Sequence, residues 1–335
     1  MTTTAAPSPE LFFQTLWGYQ RTAALKSAVE LEIFTAIHEG ATTAEAIGRR
    51  SGASARGTRI LCDYMAMLGF ITKDGDTYAL TQDSAIFLTK TSPAYMGGTL
   101  KFLLSGPIVS NHQFLTAAVR DGGVSSSGDD TVSVENPIWE EFARAMIPMM
   151  AMPAQAIAEI VSSVPPARVL DIAAGHGIFG IAVAQRNPGA RVVAVDWPRV
   201  LTVATGNAAA MGVGNRHSTI PGDAFTVDWG GGYDLALVTN FLHHFDIPTC
   251  TSFLGRVRSA LTPGGRVAIL EFVPNEDRTS PPIPAAFALT MLAGTKGGDA
   301  YTMTELTRML HDAGFGSVTR HDLEGPETVV VATAV

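Results

Sequence analysis

Residues 171–180 read DIAAGHGIFG, and within them Gly175-His176-Gly177-Ile178-Phe179-Gly180 fits G-x-G-x-x-G. That spacing suits a turn from a strand into a helix, where absent side chains let the backbone approach an adenosine-bearing ligand. The six residues alone do not say which ligand. His176, at the loop's variable position, reads as a solvent-facing or backbone-bonded residue rather than a chemical one. The strand-like run RVLDIA stands just ahead of the glycines, so the turn has the context the motif requires.

The surrounding C-terminal half alternates strand-like and helical segments. RVVAVD, the run ending in GDAF, YDLALVTN and GRVAILEFV are β-rich, and SVTRHDL and TVVVATAV close the chain as a strand pair. Such alternation implies an α/β fold, a Rossmann-like doubly wound parallel sheet whose ligands collect at the carboxyl ends of its strands. Chemistry-bearing residues fall at those ends. Asp171 ends the first strand, where an acid suits an ammonium group and not a pyrophosphate. Asp196 ends the second and can accept from ribose hydroxyls. Asp223-Ala224-Phe225 follows the third run, offering an acceptor to an adenine amine and a ring to cover the base. Leu261-Thr262-Pro263-Gly264-Gly265 turns into the last long strand.

The N-terminal segment has a different texture. LWGYQRTAALKSAVELEIFTAI spaces apolar residues as one amphipathic helix does. TTAEAIGRRSG and SARGTRILCDYMAMLGF follow, with Thr or Ser caps at their starts and Gly52 and Gly69 near their stops. FITKDGDTYALT then reads as a hairpin around Lys73-Asp74-Gly75-Asp76. Three helices and a hairpin make a winged helix. Its third helix carries Arg56 and Arg59 but turns strongly apolar, which favours packing against protein over entering a DNA groove. The expected division is 1–100 for this dimerisation domain, 101–164 for a helical linker and substrate-lid region, and 165–335 for the sheet. A Ser/Gly/Asp-rich break is expected at Val124–Thr131, and Ser162-Ser163-Val164-Pro165-Pro166 marks the last boundary.

Composition excludes several classes. A formal net charge of −8 gives no general support to a nucleic-acid partner. Two distant cysteines make neither a disulfide framework nor a zinc cluster. The N-terminus lacks a signal-peptide pattern, and no apolar run reaches the roughly 18 residues of a membrane span. A cytoplasmic protein without membrane or nucleic-acid partners is expected.

The acids at the strand ends, the glycine loop and the LTPGG turn together resemble the class I S-adenosylmethionine-dependent methyltransferases. The whole chain resembles the small-molecule O-methyltransferases typified by the caffeic acid and acetylserotonin enzymes, closest to bacterial members acting on secondary metabolites; TAAVRDGG followed by FARAM resembles their middle helices. The resemblance implies S-adenosylmethionine as cofactor, held by Asp171, Gly175, Gly177, Asp196, Asp223, Ala224, Phe225 and Asn240. It implies a homodimer through the N-terminal domain and O-methylation of a hydroxylated aromatic or polyketide-type small molecule. In Asn240-Phe241-Leu242-His243-His244-Phe245-Asp246 the family's general base falls on His243, with His244 replacing the Asp of plant relatives. Glu271, in LEFVP, matches the glutamate that orients the base; a second family glutamate is replaced by Ala300 in Gly297-Gly298-Asp299-Ala300. At least one of the two histidines is expected to meet the acceptor; neighbouring side chains diverge, and the aligned position favours His243 over His244.

Candidate pocket residues are His112, Met146, Met149, Met150, Phe241, Phe287 and Met291, joined by Phe102. Flexible, polarizable methionines suit an apolar ligand. Arg120 or Arg144 could meet a carboxylate. No metal is expected. The competing reading keeps the cofactor but methylates carbon of an α-keto acid, or sulfur, with a metal-assisted variant that starts from His243 with His244 or Asp246.

Overall fold

The computed structural model describes residues 7–124 and 136–335, so most of the break expected at Val124–Thr131 lies outside the described residues. The chain forms two compact units, Met1–Leu100 and Lys101–Val335.

In the first unit the stretch expected as one long helix is two, Gly18–Glu30 and Ile33–His38, preceded by a short helix Glu10–Leu16. The break falls at Glu32, which takes a left-handed conformation at φ 54°. Its carboxylate accepts from Arg50 at 3.3 Å and Lys90 at 2.5 Å, tertiary contacts that helical periodicity does not report. The next two helices end as their caps dictate. Thr43 accepts from Ala46 N ahead of Ala44–Ser51, Gly52 closes that helix at φ 69°, and Ser54 caps Ala55–Met67. Strands β1 (Ile71–Asp74) and β2 (Thr77–Leu80) pair as the expected hairpin. Arg59, a candidate nucleic-acid contact, donates to Asp63 at 2.8 Å instead.

The second unit is built on seven strands: β3 (Arg168–Ile172), β4 (Arg191–Asp196), β5 (His217–Pro221), β6 (Tyr233–Thr239), β7 (Leu261–Glu271), β8 (Phe315–Asp322) and β9 (Thr328–Ala334). Their order is β5-β4-β3-β6-β7-β9-β8. The first five are parallel, but β9 enters between β7 and β8 antiparallel to both, so the sheet is mixed rather than wholly parallel. The short link between β8 and β9 permits only antiparallel pairing, because a parallel return needs a crossover of a dozen residues or so. Alternation along β3 sends Leu170 and Ile172 into one apolar layer and Val169 into the other. Asp171 shares the Val169 face, beneath the helix Ile178–Arg186, which explains its complete burial. Among the described residues no helix is long and apolar enough to cross a membrane.

Candidate active site

A cavity of about 490 Å³ opens at the carboxyl ends of the parallel strands. The glycine loop forms one wall. Gly175, at φ 57°, lines it, and its N–H donates to Asp196 Oδ2 at 2.8 Å. Trp197 N–H donates to the other Asp196 oxygen at 2.7 Å. Burial pushes the Asp196 carboxyl up to about 6, against the lowering effect of those two amides. Beyond β5, Asp223 Oδ1 accepts from Phe225 N at 2.8 Å, a side-chain turn that brings Asp223, Ala224 and Phe225 to the wall together.

Two residues expected to touch the cofactor stand away from the cavity surface. Asp171 is fully buried, and its Oδ2 accepts from Gly180 N at 3.0 Å while Oδ1 has no partner. Burial pushes it up to about 8. Gly177 is also absent from the wall. A Cβ there would stand 2.9 Å from Ala204 Cβ, so packing against the helix Pro198–Ala210, together with the left-handed backbone at φ 74°, demands glycine. His176 is buried, not solvent-facing. Its Nδ1 accepts from Ile178 N at 3.4 Å and its ring stacks on Phe142 at 5.8 Å. Burial lowers it to about 4.

The opposite wall follows β6. Asn240, at φ 52°, begins the turn, and Leu242–His244 forms a single 3-10 turn. Glu271, at the end of the neighbouring strand β7, fills the space behind this turn. Its Oε1 accepts from Phe241 N at 3.1 Å and Leu242 N at 2.8 Å, and its Oε2 lies 2.5 Å from His243 Nδ1. The carboxylate therefore fixes both the backbone carrying the histidine and the imidazole itself. His243 and His244 both line the cavity, with ring centroids 4.3 Å apart; the expected divergence of the neighbouring side chains does not occur. Burial, followed by the proximity of His243, holds His244 well below the usual imidazole range. Ala300 is buried, with no acid contributed from that position.

His112, Met146, Met149, Met150, Phe241, Phe287 and Met291 all line the cavity, as does Phe102. Phe287 stacks on Phe272 at 4.2 Å and meets the His243 ring edge-on at 4.8 Å. Trp139, Phe142, Trp197 and Phe272 complete an aromatic lining that sequence reading missed. The signal for the first two was present in NPIWEEFARAM, where Trp139 and Phe142 lie on one helical face. Among the described residues, neither Arg120 nor Arg144 reaches the wall; Arg144 pairs with Glu140 at 3.0 Å. No lysine or arginine lines the cavity among the described residues. Nor do three His, Cys, Asp or Glu side chains converge there as a metal site would require.

Comparison with known proteins places the chain in a family. The O-methyltransferase domain profile matches residues 131–316, and the O-methyltransferase dimerisation domain profile matches residues 13–90. The chain belongs to the O-methyltransferase family. It is 28% identical over 313 residues to 3-hydroxy-5-methyl-1-naphthoate 3-O-methyltransferase of Streptomyces sahachiroi, covering 92% of this chain and 90% of that one. A crystal structure from Nostoc punctiforme, titled for an O-methyltransferase, is 50% identical, covers 98% of this chain and 100% of its own, and superposes with a TM-score of 0.96. Human N-acetylserotonin methyltransferase in complex with S-adenosylmethionine shares the fold at TM-score 0.86 and 22% identity, over 100% of this chain and 99% of that one.

Proposed function

We propose that the protein transfers a methyl group from S-adenosylmethionine to a hydroxyl of a flat aromatic small molecule, with His243 as general base. The cavity's donor set fits this cofactor. Asp196 has lone pairs left after its two amide bonds to accept from ribose hydroxyls, and Asp223 with Phe225 can receive an adenine. Among the described residues the wall has no lysine or arginine, which suits a sulfonium cation, and the Gly175 N–H, which a pyrophosphate would use, is already held by Asp196. Asp171 acts one layer deeper, tying β3 to the helix after the loop through Gly180 N. When bound, the cofactor supplies an electrophilic methyl on a positively charged sulfur.

The chain's own residues supply the rest. Glu271 accepts the Nδ1 proton of His243, which leaves Nε2 as a lone pair facing the cavity. The acceptor's O–H proton passes to Nε2 as its oxygen bonds to the methyl carbon and the carbon–sulfur bond breaks. Holding oxygen, methyl and sulfur in line is the larger part of the catalysis; a positioned base adds about 10²–10⁴-fold. The apolar rings and methionines hold a planar acceptor without charged contacts. Among the described residues the cavity wall has no lysine or arginine, so an α-keto acid carboxylate finds no permanent counter-ion there.

The single observation that carries this reading is the 2.5 Å contact between Glu271 and His243 Nδ1 at the cavity wall. We read the first unit as a dimerisation surface, supported by the exposure of Leu11, Phe12, Leu16, Trp17 and Tyr19 on its first helices. The test of the base is His243→Ala. It is expected to bind S-adenosylhomocysteine as the parent does, by calorimetry, and to lose about 100-fold or more in turnover of phenolic acceptors. Parental turnover in the variant refutes His243 as base.

A further inference from the structure

His243 and His244 stand side by side on one wall of the cavity, with His112 and His176 elsewhere on its lining, and the role of base accounts for one of the pair. His244 lies beside His243 at 4.3 Å and is wedged by the edge of Trp139 at 5.2 Å. A buried polar ring left without a partner costs about 1–3 kcal/mol, so its presence between the aromatic rings of the wall calls for a bonding role.

The environment sets what this ring can offer. Burial keeps it neutral, so it carries one N–H and one lone pair. Among the described residues, nothing hydrogen-bonds to the enclosed Nδ1. An enclosed lone pair without a donor is cheaper than an enclosed N–H without an acceptor, which places the proton on Nε2. The two rings then differ in polarity. His243, with Nδ1–H on Glu271, turns a lone pair to the acceptor molecule, whereas His244 turns an N–H.

We propose that His244 is a specificity residue whose Nε2–H donates to a second oxygen of the acceptor, adjacent to the hydroxyl that His243 deprotonates. The chain thereby selects arenes carrying an ortho or peri oxygen: vicinal diols, hydroxyquinones and hydroxyketones. This rests on the methyl-transfer reading above. A lone hydroxyl that donates to His243 and also accepts from His244 ties up a lone pair on the attacking oxygen, whereas a second, neighbouring oxygen takes the N–H and leaves the nucleophile free. Met146, Met149, Met150, Phe272 and Phe287 give apolar wall around the pair; of the polar residues that also line the cavity, Asn240 Nδ2 contacts Met150 Sδ at 3.4 Å and His112 Nδ1 contacts Ile108 O at 2.9 Å.

The experiment compares naphthol with a vicinal naphthalenediol as acceptors, using the full chain. The wild-type protein is expected to favour the diol in kcat/KM by about tenfold or more, the worth of one hydrogen bond to a buried donor. His244→Phe keeps a ring and removes the N–H. It is expected to lose most of that preference, chiefly as a raised KM for the diol, and His244→Asn, which restores an N–H, to recover part of it. His244→Leu serves the same purpose if the Phe variant does not fold. Three results overturn the proposal: no preference in the wild type, an unchanged ratio in the Phe or Leu variant, or no turnover of the diol by protein that binds S-adenosylhomocysteine. Failure of the methyl-transfer reading is distinguishable, since it shows as no binding of S-adenosylhomocysteine and no methylation of either arene.

Discussion

Replacing Glu271 with glutamine preserves size and removes one charge at a site that is 3% exposed. The consequence follows from which oxygen holds what. Oε1 faces the N–H groups of Phe241 and Leu242, so the glutamine carbonyl must stay there; a side-chain NH₂ would meet two donors. The NH₂ is then left facing His243 Nδ1, where the carboxylate oxygen now sits at 2.5 Å. Two donors cannot share that contact, so the imidazole changes tautomer: Nδ1 accepts and Nε2 carries the proton. A base with its proton already in place cannot take another from the acceptor. Turnover is expected to fall by about 10²–10⁴-fold, roughly 3–5 kcal/mol in the barrier. The same tautomer error in a serine-protease triad costs about 10⁴. Folding loses one hydrogen bond to a charged group, about 1.5–3 kcal/mol, which leaves a folded protein to measure. Single-turnover methylation of a naphthalenediol reads the chemical step apart from binding and release, with calorimetry of S-adenosylhomocysteine as control. A single-turnover rate within about threefold of the parent, in folded protein, refutes the reasoning.

Two further outcomes are expected. Asp196 is raised from 3.8 to about 6 in the folded protein, so its contribution to the stability of the free protein is full below about pH 3.8 and is lost as pH rises through 6; Asp171, raised to about 8, extends the same trend upward. Cofactor binding runs the other way, because ribose hydroxyls need the ionised Asp196: affinity for S-adenosylhomocysteine is expected to drop about tenfold per pH unit below 6 and to level off above it, and a flat calorimetric profile from pH 5 to 8 removes Asp196 from that role. Substituting Phe12→Glu and Trp17→Glu together puts charges on the exposed apolar helices of the first unit, and sedimentation is expected to show dissociation to monomers; an unchanged sedimentation coefficient argues against that surface as the dimer contact.

Much of the local design can be read from the chain alone. The caps at Thr43 and Ser54, the stop at Gly52, the hairpin and the strand–turn–helix around Gly175 are short-range physics: one side chain satisfying one backbone group, or one glycine taking a left-handed turn. The acids at Asp196 and Asp223 were legible as positions, since strand ends in a wound sheet share one edge, whereas the pairing of Glu271 with His243 was legible only through the family resemblance. Long-range packing decided the rest. It breaks the long helix at Glu32, inserts β9 beside β7, buries His176 against Phe142, and draws Asp171 and Gly177 under the loop instead of into the cavity. It also turns two adjacent histidines into one cavity and surrounds them with rings from helices distant in sequence. Periodicity says which face of an element is apolar. It does not say which partner covers that face, and that partner determines whether a polar atom meets solvent, another residue or a ligand.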